Sequence, residues 1–176
     1  MKETVYSLNK QAIELSDRGN YEEAIACFRR AITVEKNNHL LFFNLGITYF
    51  HAGDGENAKN ALLQAHFLNP EEIQVLEMLA IVCNELGEKE EAMFYCTEAL
   101  DLNYYNPAIW NTIGVIYFSV EEYNDACEAF EQAVSLNPYY YDAFFNLRDT
   151  YEELGNRVGV ETCEKQMETL KGHKNV

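Results

Sequence analysis

The sequence predicts an all-α fold, a solenoid of stacked antiparallel helix hairpins, on three observations. Ala24, Ala58, Ala92 and Ala126 recur every 34 residues, and Ala31, Ala65, Ala99 and Ala133 keep the same interval. Larger residues run in phase with them: Leu8, Phe42, Leu76, Trp110 and Phe144; Leu15, Tyr49, Cys83, Tyr117 and Tyr151; Phe28, Leu62, Cys96 and Phe130. Within a period the apolar spacing is three and four residues, the helical period, with Phe42, Leu45, Gly46 and Tyr49 on one stripe and Ala58, Leu62 and Ala65 on another. A fixed period of this length is the signature of a repeat array, in which each unit buries its apolar face only against its neighbours.

Each period reads as helix, turn, helix, joint. Gly19, Gly53, Gly87 and Gly155 fall in the turns, where a left-handed residue ends the first helix. Glu121 holds that place in the fourth period, and a left-handed glutamate carries roughly 1 kcal/mol of strain. Asn20 with Glu23 has the spacing of a capping box for a second helix. Asn69-Pro70 and Asn137-Pro138 stop one hairpin and aim the next. Gly46 and Gly114 stand where two helices approach closely, Gly55 predicts a loose second turn, and Gln11 gives the first unit a polar edge.

The pattern resembles the tetratricopeptide repeat family, whose 34-residue unit carries Trp-x2-Leu-Gly-x2-Tyr followed by Ala, Phe, Ala and Pro. Trp110, Ile113, Gly114, Tyr117, Ala126, Phe130, Ala133 and Pro138 match nearly all of it. The resemblance implies a right-handed superhelix, read as a single domain over 1–176 with units at 5–38, 39–72, 73–106 and 107–140. A degenerate fifth unit and capping helix at 141–171 and a tail at 172–176 complete it. In that last unit Val160 and Glu164 replace the expected Ala and aromatic residue, while Val160, Cys163, Met167 and Leu170 keep one apolar stripe suited to a capping helix.

The bulk properties narrow the function. Of 176 residues 48% are hydrophobic and 13% aromatic, which excludes disorder as the main state. The net charge is −16, and between residues 60 and 147 fifteen Asp and Glu face the single basic residue Lys89. Such a surface repels phosphate backbones and anionic lipid, so neither nucleic acid nor membrane is an expected partner. The start, Met-Lys-Glu-Thr-Val-Tyr, has no apolar signal core, and the longest apolar run, Met78 to Cys83, is far too short to span a bilayer. Cys27, Cys83, Cys96, Cys127 and Cys163, odd in number and scattered, fit reduced thiols of a cytoplasmic protein. Cys83 and Cys96 are placed to face each other across a hairpin, as small core residues in preference to a disulfide.

By the resemblance, first helices line an inner face, and their exposed positions form columns. One is Ile13, Ile47, Ile81 and Val115, ending in Asp149; beside it run Phe43, Glu77, Asn111 and Phe145, then Phe50, Asn84, Phe118 and Glu152. The Ile and Val column suits packing between neighbouring helices as well as it suits a ligand. Phe50 and Phe118 favour a ligand, because solvated helix faces rarely carry such residues. Glu77, Glu85, Glu152 and Glu153 rim the groove or are merely a solvated edge. The expected partner-binding set is Phe43, Asn44, Ile47, Phe50, Glu77, Ile81, Asn84, Asn111, Val115, Phe118 and Phe145.

The clamp by which some family members hold the acidic tails of heat-shock chaperones is missing. Only Asn44 fits it, and Asn9, Ile13, Gln74 and Met78 fill the other places. Asn44 and Asn146 resemble a backbone-gripping asparagine ladder that Met78 and Thr112 interrupt. His39, His51, His66 and His173 have no metal-ligand spacing, and Gly53-Asp54-Gly55 is a turn rather than a calcium or phosphate loop. His51 and Glu85 hold equivalent positions on neighbouring first helices, as an exposed pair. The expectation is therefore a non-enzymatic scaffold or adaptor with no cofactor and no metal. It would bind a protein or peptide with apolar anchors and basic flanks, as a monomer or weakly self-associating chain. Shielding of an apolar client segment and self-assembly through Tyr104, Tyr105 and Tyr139 to Tyr141 are the alternatives.

Overall fold

The computed structural model describes residues 4–173, with the side chain of His173 left aside. Ten α-helices and no strand occur among the described residues. In order they are α1 (Val5–Asp17), α2 (Tyr21–Val34), α3 (His39–His51), α4 (Gly55–Leu68), α5 (Ile73–Glu85), α6 (Lys89–Leu102), α7 (Pro107–Ser119), α8 (Tyr123–Leu136), α9 (Tyr141–Glu153) and α10 (Arg157–His173). The chain divides into two compact units, residues 1–95 and 96–176, with the division inside α6.

In the first unit α1 packs on α2, α2 on α3, α3 on α4 and α4 on α5. The core holds Phe28, Leu41, Leu62, Leu76 and Leu79 with the small residues Ala24, Ala31, Ala58 and Ala65. Gly46 lets α3 close on α4: a Cβ there would stand 2.7 Å from Leu62 Cγ. Tyr49 is buried and its hydroxyl accepts from Arg29 Nη2 at 2.5 Å, tying α3 to the preceding hairpin.

In the second unit α7 packs on α8, α8 on α9 and α9 on α10. Ala126, Phe130, Phe144, Leu147, Cys163 and Met167 form its core, with Phe118, Tyr151 and Leu170 packed against it. A Cβ on Gly114 would fall 2.5 Å from the Phe130 ring. Tyr151 repeats the role of Tyr49, its hydroxyl donating to Glu131 of α8 at 2.6 Å. In the last hairpin the close approach lies elsewhere, between Tyr151 on α9 and Gly159 on α10, where a Cβ would meet that ring at 2.5 Å.

The turn chemistry follows the sequence at most points. Gly19, Gly53, Gly87 and Gly155 have φ of 80°, 77°, 79° and 68°, and Glu121 adopts the same left-handed state at 64°. Asn69 and Asn137 cap the ends of α4 and α8.

Three details differ. Asn20 is the N-cap of α2 but its side chain makes no cap hydrogen bond, so the expected box with Glu23 does not form. A capping box does form at α1, between Thr4 and Ser7. Gly55 is no loose corner, since a Cβ there would stand 2.9 Å from Leu86 Cδ2; the glycine is where α4 admits the end of α5. Finally, α10 runs to His173, two residues beyond the expected end of the capping helix, and residues 174–176 lie outside the described residues.

Candidate functional site

The first helices present the candidate face, and the two units contribute to it separately. In the first unit Phe43, Asn44, Ile47 and Phe50 on α3 are half-buried, as are Glu77, Ile81 and Asn84 on α5. Ile13 on α1 is more open, at 39% exposure. None of these aromatic or aliphatic groups is sealed in the core, and none stands free of it. Asn44 Nδ2 donates to Asn9 Oδ1 at 3.4 Å, so the amide is engaged with the preceding first helix. Burial pushes the Glu77 carboxyl above its ordinary value.

In the second unit Asn111 and Phe118 are half-buried, while Val115 and Phe145 are 38% and 42% exposed. Asn146 Nδ2 donates to Asn111 Oδ1 at 3.0 Å, the same pairing one residue beyond a repeat length that joins Asn44 to Asn9. Val115 and Phe118 come together in a small pit with Phe130, Asn146 and Asp149, of about 120 Å³. Phe130 forms one wall because Gly114 has no side chain to cover it. Phe118 serves twice: one part of its ring leans on the core and on Tyr123, with ring centroids 5.3 Å apart, and another part lines the pit.

Two groups at or near these faces escaped the sequence reading. Arg148 lies with its guanidinium 4.3 Å from the Phe145 ring centroid and donates Nε to Asp149 Oδ1 at 2.9 Å. The signal was present, since Arg148 breaks the column Ala12, Gly46, Ala80 and Gly114. The other group is a cluster of Cys83, Glu88 and Glu91, whose ligand atoms lie within 4.8 Å of one another. Their residue types fit a cation, and the protein supplies its own: Lys59 Nζ stands 2.6 Å from both Glu88 and Glu91. Those two bonds raise the Lys59 pKa above the ordinary lysine range against the opposing effect of burial. Burial, which opposes the rise at Lys59, pushes the Cys83 thiol up to about 12, so it is a poor metal ligand and a poor nucleophile at neutral pH. The cluster joins α4 to the end of α5, the following turn and the start of α6, and no signal short of the fold would place Lys59 beside residues some thirty positions away.

All five cysteines are free thiols, with Cys127 half-buried and the other four buried. No described helix is long and apolar enough to cross a membrane.

Comparison with known proteins bears on the repeat itself. A family model described as TPR repeat matches residues 13–53, and models described as tetratricopeptide repeat match 73–106 and 107–140, together more than half of the chain. Cilia- and flagella-associated protein 70 of Homo sapiens is 31% identical over 121 residues, 67% of this chain and 11% of that protein. A TPR repeat-containing protein of Methanocaldococcus jannaschii is 28% identical over 134 residues, 68% of this chain and 23% of that protein. The chain thus spans less than a quarter of the length of these curated relatives. The crystal structure of MamA protein superposes with a TM-score of 0.75 at 23% identity, covering 99% of this chain and 96% of that one, a likeness of fold. With its 34-residue period, its glycine turns and these matches, the chain belongs to the tetratricopeptide repeat family.

Proposed function

We propose that this chain is a protein–protein interaction scaffold that holds a partner segment, with apolar anchors and basic flanks, on the exposed faces of its first helices. One observation carries the reading. Those helices leave Phe43, Ile47, Phe50, Ile81, Val115, Phe118 and Phe145 half-covered or exposed, beside the carboxylates of Glu77 and Asp149. Half-covered apolar groups gain further burial from a ligand, at about 25 cal/mol per Å² of apolar surface removed from water. Carboxylates among them favour a basic partner and speed its encounter. The repeat phases 5–38, 39–72, 73–106 and 107–140, with a degenerate unit over 141–171, are proposed as the functional modules of a single array. The array acts by binding and not by catalysis, and a reducing, cytoplasmic setting accords with five free thiols.

The test is capture of partners from native lysate by the parent and by the double variant Phe50→Glu, Phe118→Glu, with helix content followed by circular dichroism. The reading predicts that capture is lost while helicity stays. Identical captured proteins from both would reject the face. A second reading, self-assembly, draws on Tyr104, Tyr105 and Tyr139 in the joints, 52%, 74% and 78% exposed. Light scattering decides it: a monomer mass that does not change with concentration removes it.

A further inference from the structure

The fifth hairpin breaks a rule that the others keep. Ala12, Gly46, Ala80 and Gly114 hold one repeat position with a side chain of one carbon or none, and α9 places Arg148 there. Residues three and four apart share a helix face, so Arg148 lies with Phe145 and Glu152, and its long side chain also bends to Asp149, the next residue along. Its side chain is only 23% exposed. The guanidinium covers the Phe145 ring and bonds to Asp149 through Nε and Nη2. The Asp149 hydrogen bonds raise its pKa most, burial opposes them, and Asp149, Glu152 and Glu164 add further attraction.

Asp149 is at the same time a wall of the pit formed with Val115, Phe118, Phe130 and Asn146. At about 120 Å³ the pit has room for the stem of one long side chain. Asn146, also a lining residue, donates its amide nitrogen to Asn111, so its side-chain oxygen is the part of that amide that can accept from a ligand. A planar cation with an apolar stem therefore matches the walls, the rim and the charge together. Arg148 already displays part of that match on the molecule itself. Partly exposed pairs of this kind are worth about 1 kcal/mol or less, so the internal one can be exchanged for another.

We propose that Arg148 is a built-in competitor at this pit, which takes an arginine side chain from a partner segment: the stem lies against Val115 and Phe118, the guanidinium on Asp149, and Arg148 moves aside to admit it. The inference rests on the first helices being the partner face. Arginine is preferred to lysine because its planar fork both stacks on an aromatic ring and bonds two ways to a carboxylate. Removing Arg148 takes away the competitor and leaves Asp149, Glu152 and Glu164 to attract the incoming cation.

The experiment is fluorescence anisotropy at low salt with two labelled twelve-residue peptides. One alternates arginine with leucine and alanine; in the other citrulline, equal in shape and uncharged, replaces each arginine. Arg148→Met keeps the stem and removes the charge, and is expected to tighten the arginine peptide by about 2- to 5-fold, the range that loss of one partly exposed ion pair allows. Asp149→Asn should weaken it by a similar factor, and Arg148→Lys should lie between parent and Arg148→Met. The citrulline peptide should respond to none of these. Circular dichroism and a melting curve of each variant keep the comparison among folded proteins, and Arg148→Lys serves where Arg148→Met fails to fold. Unchanged or weakened arginine binding in Arg148→Met, or a citrulline peptide that follows the arginine one, would overturn the proposal. If Phe118→Glu alone abolishes binding while positions 148 and 149 have no effect, the partner face stands and the competitor falls. If Phe118→Glu is also silent, both fall.

Discussion

Gly114→Ala tests how the second unit sets the spacing of its hairpins. Gly114 is buried on α7, and a Cβ there would stand 2.5, 2.6 and 2.8 Å from three atoms of the Phe130 ring. Carbon atoms in contact prefer about 3.5–4.0 Å, so the ring must retreat by roughly 1 Å. Phe130 has little room to do so, being 1% exposed and packed with Ala126, Phe144 and Leu147. Overpacking of this kind costs about 1–3 kcal/mol, and alanine returns about 1 kcal/mol over glycine in a helix interior. The net expectation is a loss of about 1 kcal/mol, or roughly 3 °C in melting temperature for a chain of this size. In the first hairpin the corresponding residues are Ala12 and Phe28, so alanine is compatible with a phenylalanine when the backbones are set for it. In Gly114→Ala that adjustment would have to strain α8 and α9 as well. The assay is urea unfolding followed at 222 nm, for Gly114→Ala, Phe130→Leu and the double variant. The cycle should give a favourable coupling of more than about 0.5 kcal/mol, because leucine relieves the overlap. A Gly114→Ala protein as stable as the parent, or more stable, would refute the packing argument.

Other outcomes follow from single positions. Glu121→Gly, at φ 64°, should raise stability by roughly 1 kcal/mol in the same unfolding assay, because only glycine occupies that region without strain. Glu77→Gln should also stabilise at pH 7: burial raises the folded-state pKa of this carboxyl, so the charged form is penalised above that pKa and the gain vanishes below the unfolded one. Urea midpoints at pH 7 and below pH 4 check the sign. Lys59 has a raised pKa, so its contribution is fully present below the ordinary lysine range and is lost only as pH rises through the folded value; the parent should show no loss from this group between pH 5 and 9. Lys59→Met should lower the urea midpoint at pH 7, because it leaves the Glu88 and Glu91 carboxylates side by side without the cation they share. Alkylation of the native protein at pH 8 should spare Cys83, whose thiol is pushed up to about 12, as peptide mass mapping would report.

The repeat was legible because its columns are set by packing that recurs. Gly46 and Gly114 had to be small because Leu62 and Phe130 fill the space opposite, and the sequence shows both halves of that arrangement at a fixed distance. Left-handed turns were legible for the same reason, down to the glutamate at position 121. What escaped depends on contacts between residues that no period links. The cap of α2 had the right letters, yet Asn20 adopts ψ of 63° and makes no side-chain bond. Gly55 read as a loose corner, and only the position of Leu86 shows that a neighbour's side chain takes up the space beside it. Of the candidate site, the columns of residues were legible, but their degree of exposure was not. The pairing of Asn44 with Asn9, and of Arg148 with Phe145 and Asp149, was likewise out of reach.

The central claim is that partners meet the first helices. Exposed aromatic residues on second helices offer a rival surface, with Phe67 on α4 and Phe94 on α6 at 78% and 56% exposure. A photo-reactive phenylalanine analogue placed singly at positions 50, 118, 67 and 94, irradiated with captured partner bound, compares the two surfaces within one protein. The account predicts covalent adducts from positions 50 and 118 and none from 67 and 94. Adducts from 67 and 94 alone would contradict it.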